Sequence, residues 1–146
     1  MRKILLVFIL IFSSIFFYGC NKNTTNDDLV YLLSIDIEAL SNKDILNIIN
    51  DENLQEGIYE IITDKNKYIF FNGLNKEFID INSSLEDNIL VIKSNTSLSS
   101  QNSKKLYLIK ESNTTSSNDN SIFYDTIKIL VDDSEVSFKS IFTLTK

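Results

Sequence analysis

The sequence predicts a mainly β protein: a single small antiparallel β-sandwich or barrel-like domain with one short helix near its N-terminus. From Gly57 onward, short runs rich in Ile, Val, Phe, Tyr and Leu alternate with clusters of Asn, Asp, Ser and Lys, the spacing of strands and turns in an antiparallel β protein. The runs fall at residues 58–63, 68–71, 78–81, 89–93, 106–110, 123–131 and 136–144, which is a sandwich or barrel number of strands. Before Gly57 only one segment, 42–50, has helical spacing with a start signal.

Taken in order, residues 29–40 fit two patterns. Leu29, Leu32, Leu33, Asp36, Ile37 and Leu40 nearly fit a helical face, whereas residues 33–38 alternate apolar and polar; the alternation favours a strand. Ser41, Asn42, Lys43 and Asp44 then form a helix N-cap with an acid in the first turn, and Ile45, Leu46, Ile48 and Ile49 supply the apolar face of a helix over 42–50. That face closes one end or side of the sheet.

Two turns are specified by their chemistry. Asn72-Gly73 follows the apolar run 68–71 and supplies the two positive-φ residues of a type I′ turn, predicting a hairpin into 74–81. The acidic turn Asp132, Asp133, Ser134, Glu135 separates Ile127, Ile129 and Val131 from Val136, Phe138, Phe142 and Leu144, two period-two sets that can share one core. Ser140 is a polar exception in the second set, compatible with local hydrogen bonding or a sheet edge. Phe70-Phe71 and Phe123-Tyr124 are adjacent aromatics, so one of each pair points away from the face its neighbour occupies. Burial under a second layer or the helix is favoured over an exposed partner patch. Residues 112–121, SNTTSSNDNS, offer nothing apolar and read as a long exposed loop.

The first twenty residues, MRKILLVFILIFSSIFFYGC, combine a basic start at Arg2 and Lys3, an apolar run over 4–17 broken only by Ser13 and Ser14, and Gly19 before the chain's one cysteine, Cys20. The run is short of the roughly 20 apolar residues of a membrane span. This segment resembles the signal peptide of bacterial lipoproteins. Phe17 and Tyr18 stand where the usual lipobox has a Leu-like and a small residue. The resemblance implies that Gly19-Cys20 is the cleaved bond, that Cys20 receives the diacylglyceryl group, and that the chain is held at the outer leaflet, outside the cytoplasm. The expected organisation is then a signal peptide over 1–19, a flexible tether over 20–28 and one β-rich domain over 29–146. The tether, CNKNTTNDD, is polar and aperiodic; nine such residues reach about 15–18 Å as a random coil. Two acyl chains make a stable anchor to the lipid bilayer.

Charge and composition exclude several functions. The chain has 14 basic and 20 acidic residues, a net charge of −6; without Arg2 and Lys3, 12 basic residues face the same 20 acids, giving −8. No arginine remains, and nucleic-acid binding lacks both the sign and the side chain it needs. Beyond Cys20 there is no His, Cys, Trp, Met, Arg or Pro, which removes histidine-based nucleophilic catalysis and the common zinc sets. Gly57 and Gly73 alone cannot build a phosphate loop. No cofactor and no catalytic or metal-ligating residue is expected. The function read from the sequence is a non-catalytic binding or accessory module contacting an envelope protein or the cell wall. The alternative is a carboxylate-dependent or calcium-dependent wall-active enzyme. It would draw on Glu60, Glu77 or Glu135 for glycosidic hydrolysis, or on the oxygen-rich loops at 118–121 and 132–135 for calcium.

Overall fold

The computed structural model describes residues 30–111 and 124–145. The leader, Cys20, the tether and the whole 112–121 loop, with Phe123, lie outside the described residues. Nine strands and one helix are present among those described: β1 (Val30–Ile35), α1 (Lys43–Ile49), β2 (Gly57–Thr63), β3 (Lys67–Gly73), β4 (Lys76–Glu86), β5 (Ile89–Leu98), β6 (Ser103–Glu111), β7 (Thr126–Val131), β8 (Ser134–Val136) and β9 (Ser140–Leu144). They form a five-stranded sheet, β1-β6-β3-β2-β9, and a four-stranded sheet, β4-β5-β7-β8. The protein is therefore mainly β with sandwich-like packing, and its sheets do not close into a barrel.

The strand pattern of β3 explains the layering. Ile69 and Phe71 face the four-stranded sheet, in a core with Val30, Ile58, Phe78, Leu90, Ile92 and Ile129. Tyr68 and Phe70 face the other way, in a second core with Tyr59, Ile61, Leu106 and Leu108 under Ile45 and Ile49 of α1. A strand covered on both faces reads as a continuous apolar run, and Phe70 and Phe71 are both fully buried. The aromatic pair thus resolves as expected, with the helix covering the outward member.

Helix α1 is short enough that its ends matter. Its N-cap is Asn42, whose Oδ1 accepts from the amides of Asp44 (3.0 Å) and Ile45 (3.2 Å). At the other end the Lys104 ammonium donates to the Ile49 carbonyl at 2.6 Å, placing a cation at the negative end of the helix dipole. The strand expected near 33–38 lies earlier, at β1. The chain leaves the sheet where Asp36 Oδ1 accepts from the Glu38 amide at 3.0 Å, a local turn that competes with the ladder.

Two hairpins have type I′ geometry. Asp132 and Asp133 have φ of 49° and 61° between β7 and β8, and Asp87 and Asn88 have 49° and 65° between β4 and β5. The hairpin expected at Asn72-Gly73 is absent. Neither residue has positive φ, and β3 and β4 belong to different sheets. Asn72 is buried and its amide donates to the carbonyls of Leu54 (3.1 Å) and Gln55 (2.9 Å). A Cβ at Gly73 would collide with the Lys76 carbonyl. The pair therefore turns a corner between sheets, held further by Glu56 Oε2, which accepts from the amides of Leu74 and Asn75 at 3.2 Å.

The expected strand over 136–144 is also divided. β8 stays in the four-stranded sheet, whereas β9 crosses to the other and pairs in parallel with β2, Tyr59 opposite Ser140. Between them Phe138 packs into the inter-sheet core and the Lys139 amide donates to the Ile58 carbonyl at 2.8 Å. Ser140 thus opens an edge strand. β5 and β7 are likewise parallel, so the sheets are mixed rather than wholly antiparallel. In each case the chain visits the opposite sheet before returning, which supplies the crossover that parallel neighbours need.

Candidate functional site

The carboxylates singled out from the sequence do not converge. Glu77 on β4 pairs with Lys105 at 2.8 Å, and Glu135 on β8 pairs with Lys128 at 3.0 Å. Glu60 is buried on the inner face of β2, opposite Ile69. In the 132–135 turn, Asp132 directs both carboxylate oxygens at Thr96, accepting from its amide at 2.9 Å and its hydroxyl at 2.6 Å. Those hydroxyl and amide bonds hold the Asp132 carboxyl below its ordinary value. The turn is used to tie β7 to β5. Among the described residues no group of three or more acidic, histidine or cysteine side chains is arranged to hold a metal ion. The 118–121 loop and Cys20 lie outside the described residues.

Next to Glu60, which is not itself in the lining, lies the open end of the sandwich. A cleft of about 650 Å³ is lined by the β2–β3 turn from Thr63 to Lys67, by Ile109, Lys110 and Glu111 at the end of β6, and by Tyr124. Alternation places Glu60 and Lys67 on the inner face of the five-stranded sheet, diagonal to one another because Glu60 faces Ile69 and Ile62 faces Lys67. The Lys67 ammonium lies 5.2 Å from the centroid of the Tyr124 ring, a cation–π contact. Tyr124 is only 5% exposed.

Burial and charge set the protonation states. Burial pushes the Glu60 carboxyl up, and Lys67 opposes the shift without cancelling it. The Tyr124 phenol is pushed up to about 12 by burial, then by the negative charge of Glu111 and Glu60. At neutral pH the phenol stays protonated. Lys67 lies against the Tyr124 ring and within electrostatic reach of Glu60. The lining of this mouth sets Ile62, Ile109 and the Tyr124 ring among charged and hydrogen-bonding side chains.

Of these residues the sequence singled out Glu60, as a carboxylate candidate, and Tyr124, as one of an adjacent aromatic pair. Glu60 is the lone acid in an otherwise apolar strand, a signal that a charge is being placed inside. Lys67 and Glu111 carry no such local signal, because strand register and sheet packing bring them together. No protein-family model matches the chain, and neither curated proteins nor solved structures show a significant similarity to it.

Proposed function

We propose that the chain is a membrane-tethered, extracytoplasmic lipoprotein whose domain serves as a non-catalytic binding or accessory module. The observation that carries this reading is Cys20, the single cysteine of the sequence, placed directly after Gly19 at the end of an apolar leader. In this reading the bond before Cys20 is cut, its thiol bears the diacylglyceryl group, and the net charge of the remaining chain keeps the domain soluble and off anionic lipid. The non-catalytic assignment is supported by the separation of Glu60, Glu77 and Glu135, which lie on three strands, two of them ion-paired with lysines. The mouth lined by Lys67, Glu111 and Tyr124 is the surface assigned to a protein or wall partner.

The address is tested by Cys20→Ala in cells fed labelled fatty acid. Wild-type protein takes up label and the variant does not; label in the variant, or none in the wild type, overturns the assignment. The role is tested by cross-linking in intact cells followed by purification. A stoichiometric protein partner supports it, whereas release of wall fragments by the purified chain refutes it.

A further inference from the structure

The two sheets treat their edges differently. In the four-stranded sheet, edge strand β4 carries Lys76, Glu77, Asp80 and Glu86 and is broken by an irregularity between Ile79 and Asn82, where Asp80 has φ of 53°. The other edge, β8, is three residues long. Charges, bulges and shortness are the devices that keep sheet edges from pairing. The edges of the five-stranded sheet have none of the chemical ones. β1 reads VYLLSI and β9 reads SIFTL, both without charge or proline and with unbroken register to their neighbours. They also carry exposed apolar side chains: Tyr31 is 45% exposed, Leu33 42% and Ile141 54%.

We propose that β1 of one copy pairs with β9 of a second copy, making the five-stranded sheets of neighbouring copies continuous. Strand directions allow it. β1, β6, β3 and β2 alternate in direction and β9 runs with β2, so β1 and β9 of one copy are antiparallel. Shifting a copy within the sheet plane brings β9 beside the next β1 in the antiparallel sense, the more stable ladder.

The faces agree as well. Phe142 lies opposite Ile61, and Leu33 lies opposite Leu108, both on the side covered by α1. Keeping that side common permits only alternate registers. In the one that sets Lys139 opposite Asp36, Phe142 meets Leu33, Leu144 meets Tyr31, and Ile141 meets Ser34. Lys139, just before β9, and Asp36 and Glu38, just after β1, are all exposed, so swinging the Lys139 side chain off Gly57, over which it lies, sets opposite charges at the junction. A pair of two β1 strands would instead bring Asp36 to both ends with no lysine from the partner edge. The inference goes beyond the lipid-anchor reading and does not depend on it.

The test uses the full-length chain in membranes, carrying Ser34→Cys with Ile141→Cys and treated with a bis-maleimide of about 10 Å reach. In-phase registers differ by two residues, roughly 7 Å, so the reagent spans the neighbouring registers too. The expected result is a ladder of dimers and larger species, because each copy presents one edge of each kind, while either single-cysteine variant stays monomeric. Adding Lys139→Glu lowers the cross-linked fraction several-fold, and adding Asp36→Lys to that chain restores it. Absence of a ladder from the double-cysteine chain, or dimers from either single-cysteine chain, overturns the proposal. Wild-type chain is treated alongside with a single-headed maleimide. An adduct at Cys20 overturns the anchor reading alone, and edge pairing is then read from the same variants on a Cys20→Ser chain.

Discussion

Replacing Ile45 with alanine tests the layer that α1 forms over the five-stranded sheet. Ile45 is fully buried and packs in the cluster with Tyr59, Ile61, Tyr68, Phe70, Leu106 and Leu108. Truncating a buried isoleucine to alanine costs about 2–5 kcal/mol, depending on how far the site collapses. Two features place this site low in that range. A seven-residue helix anchored mainly by Ile45 and Ile49 can settle toward the gap, and alanine favours the helix by up to about 0.5 kcal/mol. The net expectation is a loss of roughly 2–3 kcal/mol. For a domain of somewhat over 100 residues each kcal/mol corresponds to about 4 °C, so the melting temperature should fall by roughly 8–12 °C. Urea denaturation followed by far-UV circular dichroism measures the free energy directly, with an unchanged slope showing that the same surface is exposed. Ile45→Val, which removes one methyl, should cost about 1 kcal/mol. A loss below about 0.5 kcal/mol for the alanine variant would show that α1 does not seal Phe70 from water.

Two further predictions concern the mouth and the corner. Because burial raises the Glu60 carboxyl above its ordinary value of 4.5 despite Lys67, the folded protein binds this proton more tightly than the unfolded chain. Stability from this group therefore falls as pH rises from 4.5 through the raised value. Glu60→Gln should be more stable than wild type at pH 7 and lose that advantage below pH 4.5 in thermal melts across pH; a variant equally destabilised at every pH would refute the charge account. Gly73→Ala should cost about 2 kcal/mol or more, since its Cβ meets the Lys76 backbone rather than a yielding side chain. Equal chemical-denaturation midpoints for that variant and wild type would mean the corner is looser than described.

The parts of the fold legible in the sequence are those decided by near neighbours. Asn42 caps α1 through amides two and three residues on, and the Asp132-Asp133 turn lies between two alternating strands. Where tertiary contacts decide, local signals misled. Asn72-Gly73 has the chemistry of a hairpin, but its amide is required by the carbonyls of Leu54 and Gln55 and its glycine by the approach of Lys76. The period-two pattern from Val136 to Leu144 continues across a break, because Phe138 and Phe142 are both partly buried in different cores. Around the mouth the sequence marked only Tyr124, as one of an aromatic pair, and Glu60 beside the lining. Lys67, Glu111 and Tyr124 are distant in sequence, and their meeting follows from strand register and sheet packing, neither of which leaves a mark at the residues themselves.

The crossing of β9 to the edge of β2 has a consequence for how the molecule forms. It joins Tyr59 to Ser140, while β1 waits for β6 to supply Leu106 and Glu111 as partners for Ile35 and Val30. Pairings this distant in sequence must overcome loop-closure entropy before they return any stabilisation, and such topologies fold in milliseconds to seconds rather than microseconds. The hairpins at Asp87-Asn88 and Asp132-Asp133, and the β2–β3 hairpin closed by Thr63 and Asn66, are local structures able to form early. The five-stranded sheet reaches its full width only when the last strand docks, so until then β2 remains an open edge and Ile61 is paired on one side alone.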